Sequence, residues 1–230
     1  MAIRSRNIAA AAAVAAGMFC AGAASAITVN GLTVDGVWLN PALEGGSVAA
    51  GAGTDTITWG EFDTSAGYAF EGGDTATAPG TFRVGTFYHD NTPIRGDALS
   101  STDLSISISG EIGGVSFSFA PRFSLTHDET INSLCTPGCP DVITVTAASG
   151  LTETIRVGDT RYTIAVDDFD ILNGFVLEDG SFLSAEGTRN GIDILGSITM
   201  TPVPLPAAGW MLLAGLGGLA MMRRRQSRAD

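Results

Sequence analysis

The chain reads as an all-β protein, an antiparallel, jelly-roll-like β-sandwich between two targeting segments, and three observations predict it. Between Ile27 and Pro202 no apolar pattern of helical period persists for a useful length. Short stretches there alternate apolar and polar residues with a period of two, the mark of a strand with one face on a core. Gly, Asn and Asp separate those stretches, as tight turns require. No repeat of fixed period is visible, which speaks against a solenoid or propeller and leaves a closed β-barrel as the main alternative.

The elements follow in order. Thr28–Val34 is broken by Asn30-Gly31 and reads as a hairpin. Thr54–Trp59 and Thr81–Tyr88 read as strands. Asp103–Ile112 alternates Leu104, Ile106 and Ile108 with Ser105, Ser107 and Ser109, and Val115–Phe123 answers with Val115, Phe117 and Phe119 against Ser116 and Ser118. Gly113-Gly114 between them can supply the positive φ angles of a tight hairpin. Val142–Ala147 is the next strand, and Ile155–Val157 and Thr160–Val166 flank Gly158-Asp159 as a further hairpin. Phe175–Leu177 and Gly191–Thr201 complete about ten strands, an architecture of two packed sheets in one domain spanning 27–202.

The two ends carry a different chemistry. Residues 1–26 place Arg4 and Arg6 ahead of an Ala-rich apolar run, Ile8–Ala24, that ends in Ala24-Ser25-Ala26. A charged start, an apolar centre and a small-x-small ending make a secretory signal peptide, cleaved after Ala26 and handled by the Sec export machinery. The run is too short and too mildly apolar to favour a retained membrane helix. Cys20 follows Gly17-Met18-Phe19, a poor lipoprotein acceptor context, and leaves with the leader. At the other end, 203–230 opens with Val203-Pro204-Leu205-Pro206-Ala207. Ala208–Met222 are all apolar or Gly, and Arg223-Arg224-Arg225 follow. A helix over 207–222, about 25 Å long if counted from Pro206, falls a little short of the ~30 Å hydrocarbon core. Trp210 lies near the outer interface, and the arginines hold the cytoplasmic side. That arrangement predicts a domain outside the inner membrane with a short span as a transient stop; a plain C-terminal anchor is the other reading.

Charge narrows the partners. All 12 basic residues are Arg, against 24 Asp and Glu. The middle keeps 6 Arg against 23 acids, a net charge of −17. So negative a domain will not bind nucleic acid or an anionic membrane surface by counterion release. With 45% hydrophobic and 16% charged residues, the chain is apolar enough to fold.

The C-terminal motif, Gly-rich span and Arg cluster, in that order, resemble the VPLPA variant of the PEP-CTERM sorting signal. The resemblance implies that exosortase, a membrane transpeptidase-like protease, recognises Val203–Ala207 and removes the tail. It further implies a Gram-negative source and delivery to the cell surface or exopolysaccharide matrix. Ile57-Thr58-Trp59-Gly60, Phe82–Phe87, Asn91-Thr92-Pro93-Ile94, His127-Asp128-Glu129-Thr130, Cys139-Pro140-Asp141 and Arg161-Tyr162-Thr163-Ile164 resemble the choice-of-anchor K domain. That is a family of exported bacterial domains of undefined biochemical role, and it implies an accessory surface domain with no catalytic residues to carry over.

Four constellations are candidates for function. Cys135-Thr136-Pro137-Gly138-Cys139 sets two cysteines around a Pro-Gly turn; in an exported protein they predict a disulfide, worth roughly 2 kcal/mol for so short a loop. As a zinc pair they would need further ligands, and His89 and His127 are the only histidines. Asp167, Asp168 and Asp170, with Glu178-Asp179 nearby, could offer oxygens to calcium from an acidic loop, although the spacing is not that of an EF-hand; a solvated loop is the plainer reading. Trp38, Trp59, Tyr68, Tyr88 and Tyr162 could present flat faces to sugar rings, Trp59 most plausibly, but aromatics of a β-sandwich usually fill its core. His127-Asp128-Glu129 puts acid and base types side by side, yet neighbours on a strand point to opposite faces. No nucleophile elbow, H-E-x-x-H, P-loop or dinucleotide fingerprint occurs. The sequence therefore predicts a non-enzymatic structural or adhesive protein needing no cofactor. A carbohydrate-binding module or a secreted glycan hydrolase with paired carboxylates is the alternative.

Overall fold

The computed structural model describes residues 26–61, 64–130, 138–173, 175–178, 181–203, 211 and 214–219. Within them the chain is mostly β-strand, and every strand pairing is antiparallel. Strands β1 (Ile27–Thr28) and β5 (Thr77–Ala78) form a small two-stranded patch. One large sheet contains β2 (Asn30–Leu43), β7 (Leu99–Ile112), β8 (Val115–Phe119), β9 (Arg122–Asp128), β10 (Asp141–Ser149), β13 (Phe175–Glu178) and β14 (Ser181–Ser184). Its order is β13-β14-β10-β9-β7-β2, with β8 also on β7. The other contains β3 (Thr56–Glu61), β4 (Thr64–Gly72), β6 (Gly80–Asn91), β11 (Thr152–Val157), β12 (Thr160–Asn173) and β15 (Thr188–Pro202), in the order β11-β12-β15-β6-β4-β3. The chain passes between the large sheets after β2, β6, β10, β12 and β14. One core lies between them, contributed by both: Trp38, Leu104, Ile106, Ile108, Phe123 and Leu125 from one side, Tyr68, Phe70, Val84, Phe87, Ile164 and Ile194 from the other.

The turn chemistry explains which hairpins form. Gly113 and Gly114 take φ of 56° and 83° and close β7 onto β8, with Ile112 opposite Val115. Only a residue without a Cβ takes two consecutive positive φ angles at no steric cost, as a two-residue type I′ loop demands. Gly158 alone is positive, at 59°, where Val157 meets Thr160. The Asn30-Gly31 break is not a hairpin. Val29 is drawn into the core and its N–H donates to the Ala76 carbonyl at 3.0 Å, so the preceding segment pairs with β5 rather than folding back. Gly31, at φ 57°, instead sits in a bulge of β2, where the register on β7 slips between Asn30 and Thr33.

Other strands differ from the sequence expectation for equally local reasons. The Val115–Phe123 run splits at Ala120-Pro121, because Pro121 has no N–H for a ladder; β8 and β9 then pair with successive stretches of β7. β2 continues far past Val34, and β4 had no counterpart in the sequence reading. Gly36 and Gly85 interrupt the apolar alternation, yet each is where Phe70 passes: a Cβ on either would lie 2.3 Å from its ring. Missing side chains here are a packing device.

Residues 211 and 214–219 are helical, and among the described residues no helix is long and apolar enough to cross a membrane. Ala24, Pro204, Leu205, Pro206, Ala207, Arg223, Arg224 and Arg225 lie outside the described residues, as does most of the expected helix 207–222. Ala26 and Val203 bracket the strands, and the Val203 N–H donates to the Asp159 carbonyl at 2.8 Å.

Candidate functional site

The chain has two histidines, 38 positions apart, and folding brings them together. Strand alternation turns every second residue inward. On β6 this selects His89 after Phe87, and on β9 it selects His127 after Leu125; the two strands belong to opposite sheets. Both rings are buried, His89 entirely, and their centroids stand 5.2 Å apart at right angles. A row of paired residues crosses one sheet at this level: Ile57, Tyr68, His89 and Asn190. From the facing sheet, Ile143 sits beside His127, and Asp141 pairs with Ser184.

Hydrogen bonds orient each imidazole through its Nδ1. His89 Nδ1 lies 2.7 Å from Ser184 Oγ, which also accepts from Asn190 Nδ2 at 2.8 Å. His127 Nδ1 lies 2.5 Å from the Tyr68 hydroxyl. Asn91 Nδ2 donates to the Ser184 carbonyl at 2.9 Å, completing the frame around that serine. On the carboxylate side, the Thr130 N–H donates to Asp141 Oδ1 at 2.9 Å. His127 Nε2 faces Glu129 Oε2 at 3.4 Å and Asp141 Oδ2 at 3.8 Å. Trp59 closes the cluster, its ring stacked on His89 at 5.8 Å and edge-on to His127 at 5.3 Å.

Several buried polar atoms here have no hydrogen-bond partner among the described residues: His89 Nε2, Asp141 Oδ2, Glu129 Oε1 and Trp59 Nε1. Native interiors rarely leave such atoms unanswered. Burial also displaces the titrations. It pushes the Asp141 carboxyl up to about 7, opposed by the Thr130 N–H, reinforced by Glu129, then opposed by His127 and reinforced by Glu186. Burial, then the neighbouring His127, holds His89 well below the usual imidazole range. Burial, with the charges of Asp141 and Glu129, holds Tyr68 well above the phenol range. Chemically, the cluster offers two imidazoles and a carboxylate with one donor atom each lying within 4.8 Å of the others.

The acidic run and the cysteine pair singled out from sequence fall elsewhere. Asp167, Asp168 and Asp170 are inside β12 rather than in a loop: a bulge follows Val166, Asp168 pairs with Leu195 and Asp170 with Asp193. Asp167 and Asp170 are exposed. Cys139 lies two residues before β10, and Cys135 is outside the described residues. The aromatics do not make an exposed platform. Trp38, Trp59, Tyr68 and Tyr162 are buried, and Tyr88 lies under the Arg189 guanidinium, 4.2 Å from its ring centroid. Trp59 nonetheless borders an open groove of about 640 Å³ with Leu43, Ser47, Thr58, Glu61 and Asp97. In His127-Asp128-Glu129 the neighbouring Asp128 does turn outward, while Glu129, two positions from the histidine, returns to it. No known protein-family profile matches the chain, and no curated protein matches it.

Proposed function

We propose that the chain is an exported bacterial surface or exopolysaccharide-matrix protein whose C-terminal tail is removed by exosortase, and whose β-domain has a structural or adhesive role without catalysis. One observation carries the reading: the strands run from Ile27 to Pro202. The expected leader cleavage after Ala26 and the Val203–Ala207 motif therefore flank the ladder. In this reading a protease would engage both processing points outside the strands. In the same reading the sandwich is jelly-roll-like, Cys135 and Cys139 pair in an oxidising compartment, and the acidic surface meets the exopolysaccharide through shared divalent cations.

The test is the intact mass of the mature protein from its native host, with both terminal peptides mapped. An N-terminus at Ile27 and a C-terminus near Val203-Pro204 are expected. Retention of Trp210–Arg225 would overturn the sorting reading and leave a domain anchored at the inner membrane.

A further inference from the structure

The orphaned atoms of the buried cluster point to a missing partner. A polar atom sealed from water costs free energy unless something answers it. Here two such atoms, His89 Nε2 and Asp141 Oδ2, belong to side chains with no exposure. Both are electron-pair donors, the one in its neutral form and the other as a carboxylate. A hydrogen-bonded amide would answer one of them; a cation answers both.

We propose that His89, His127 and Asp141 form a structural site for a divalent transition-metal ion, with zinc the best chemical fit and Glu129 the fourth donor. Two imidazole nitrogens and two carboxylate oxygens suit borderline ions such as Zn²⁺, which accepts four ligands without a redox requirement. The orientation of the rings matches that role. A metal-bound histidine presents one nitrogen to the ion and donates the other N–H to an oxygen that fixes its tautomer. Ser184 Oγ at His89 Nδ1 and the Tyr68 hydroxyl at His127 Nδ1 are those oxygens, leaving His89 Nε2 without a partner and His127 Nε2 with only a long contact to Glu129 Oε2. Tetrahedral Zn²⁺ separates its ligand atoms by roughly 3.4 Å. The three donors, within 4.8 Å of one another, need close by little more than an ångström. Glu129 Oε2 already stands 3.4 Å from His127 Nε2. Because His89 comes from one large sheet and the other donors from the opposite sheet or its edge, the ion would clasp the sandwich across its interior. A sealed site of this kind fills during folding, so loading and stability are coupled.

The experiment uses the full chain, unfolded with chelator and refolded with or without one equivalent of Zn²⁺ or Co²⁺. One tightly held ion per chain is expected, with Co²⁺ giving visible d–d bands and no thiolate-to-metal charge transfer, and with Zn²⁺ raising Tm. His89→Gln and Asp141→Asn should each weaken binding at least tenfold. X-ray absorption on the zinc-loaded wild type needs no variant to fold: imidazole scattering with nitrogen and oxygen at about 2.0–2.1 Å is expected. A sulfur shell at about 2.3 Å would put the ion on the cysteines and overturn the proposal. So would a refolded protein that retains no ion, or folded variants that bind as tightly as the wild type.

Discussion

Two halves of the sandwich interior share the same strands and do opposite things. Along β4, β6, β9, β14 and β15, one inward position is apolar and the inward position two residues away is polar or ionisable. The pairs are Phe70 and Tyr68, Phe87 and His89, Leu125 and His127, Phe182 and Ser184, Ile192 and Asn190, and β10 adds Ile143 and Asp141. In the apolar half, side chains including Phe87, Leu104, Phe123, Phe182 and Ile194 line one small apolar cavity, in which the centre of a water molecule would have only about 10 Å³ of room. In the polar half, donors and acceptors meet at hydrogen-bond distance and several are left over. Backbone geometry decides which way a residue faces; residue identity alone decides whether the layer it joins is packed or chemical.

Substitutions across that boundary sharpen the contrast. Phe182→Ala should cost the most, about 4 kcal/mol in urea unfolding, because it removes a fully buried ring and the surrounding sheets relax only in part around the void. Gly36→Ala comes next, at roughly 2–3 kcal/mol, since its methyl would meet the Phe70 ring; Phe70→Leu in the same chain should restore part of the loss. Ser184→Ala, two residues along β14 from Phe182, should cost about 2 kcal/mol in metal-free protein by leaving the buried His89 Nδ1 without its hydrogen-bond partner, while Asn190 Nδ2 keeps the Ala185 carbonyl. Were Ser184→Ala as damaging as Phe182→Ala, the division into two halves would fail. The smallest effect is expected at the surface, at Asp103. Burial pushes its carboxyl up, but hydrogen bonds from Asn40 and Ser124 and the charge of Arg122 outweigh it and hold it below its ordinary 3.8. A lowered pKa means stability that is present above 3.8 and is lost as pH falls through the folded value. Asp103→Asn should flatten that acid limb and change stability at neutral pH by less than about 1 kcal/mol, read from melting curves at several pH values.

The sequence made the strands legible wherever alternation was strict, as in Leu104, Ile106 and Ile108, and made turns legible wherever glycine was obligatory, as at Gly113-Gly114. It hid β4 because Ala66 and Gly67 dilute the apolar signal on either side of the sheet, and it hid the length of β2 because Gly36 stands where an apolar residue would have continued the pattern. The site was half visible. Phe-x-His at 87–89 and Leu-x-His at 125–127 place both histidines on core faces by period-two reasoning, and the same step of two brings in Glu129. Which sheets carry those strands, and that their polar ends meet, depends on pairings between segments far apart in the chain, such as β6 with β15, that no local pattern encodes.

The last strand has a mechanical consequence. β15 lies between β12 and β6 and is registered against both along most of its length, from Thr188 to Ile198 on one side and from Gly191 to Pro202 on the other. Tension applied through the C-terminus and resisted by those neighbours would be directed along the ladder, loading many hydrogen bonds in shear together rather than opening them one by one. Pulling from the N-terminus meets the two-residue pairing of β1 with β5 and the Val29 bond to Ala76 before it reaches β2. In the role proposed above, tethered by its C-terminal side, the domain would hold at its strong end and yield first at its weak one.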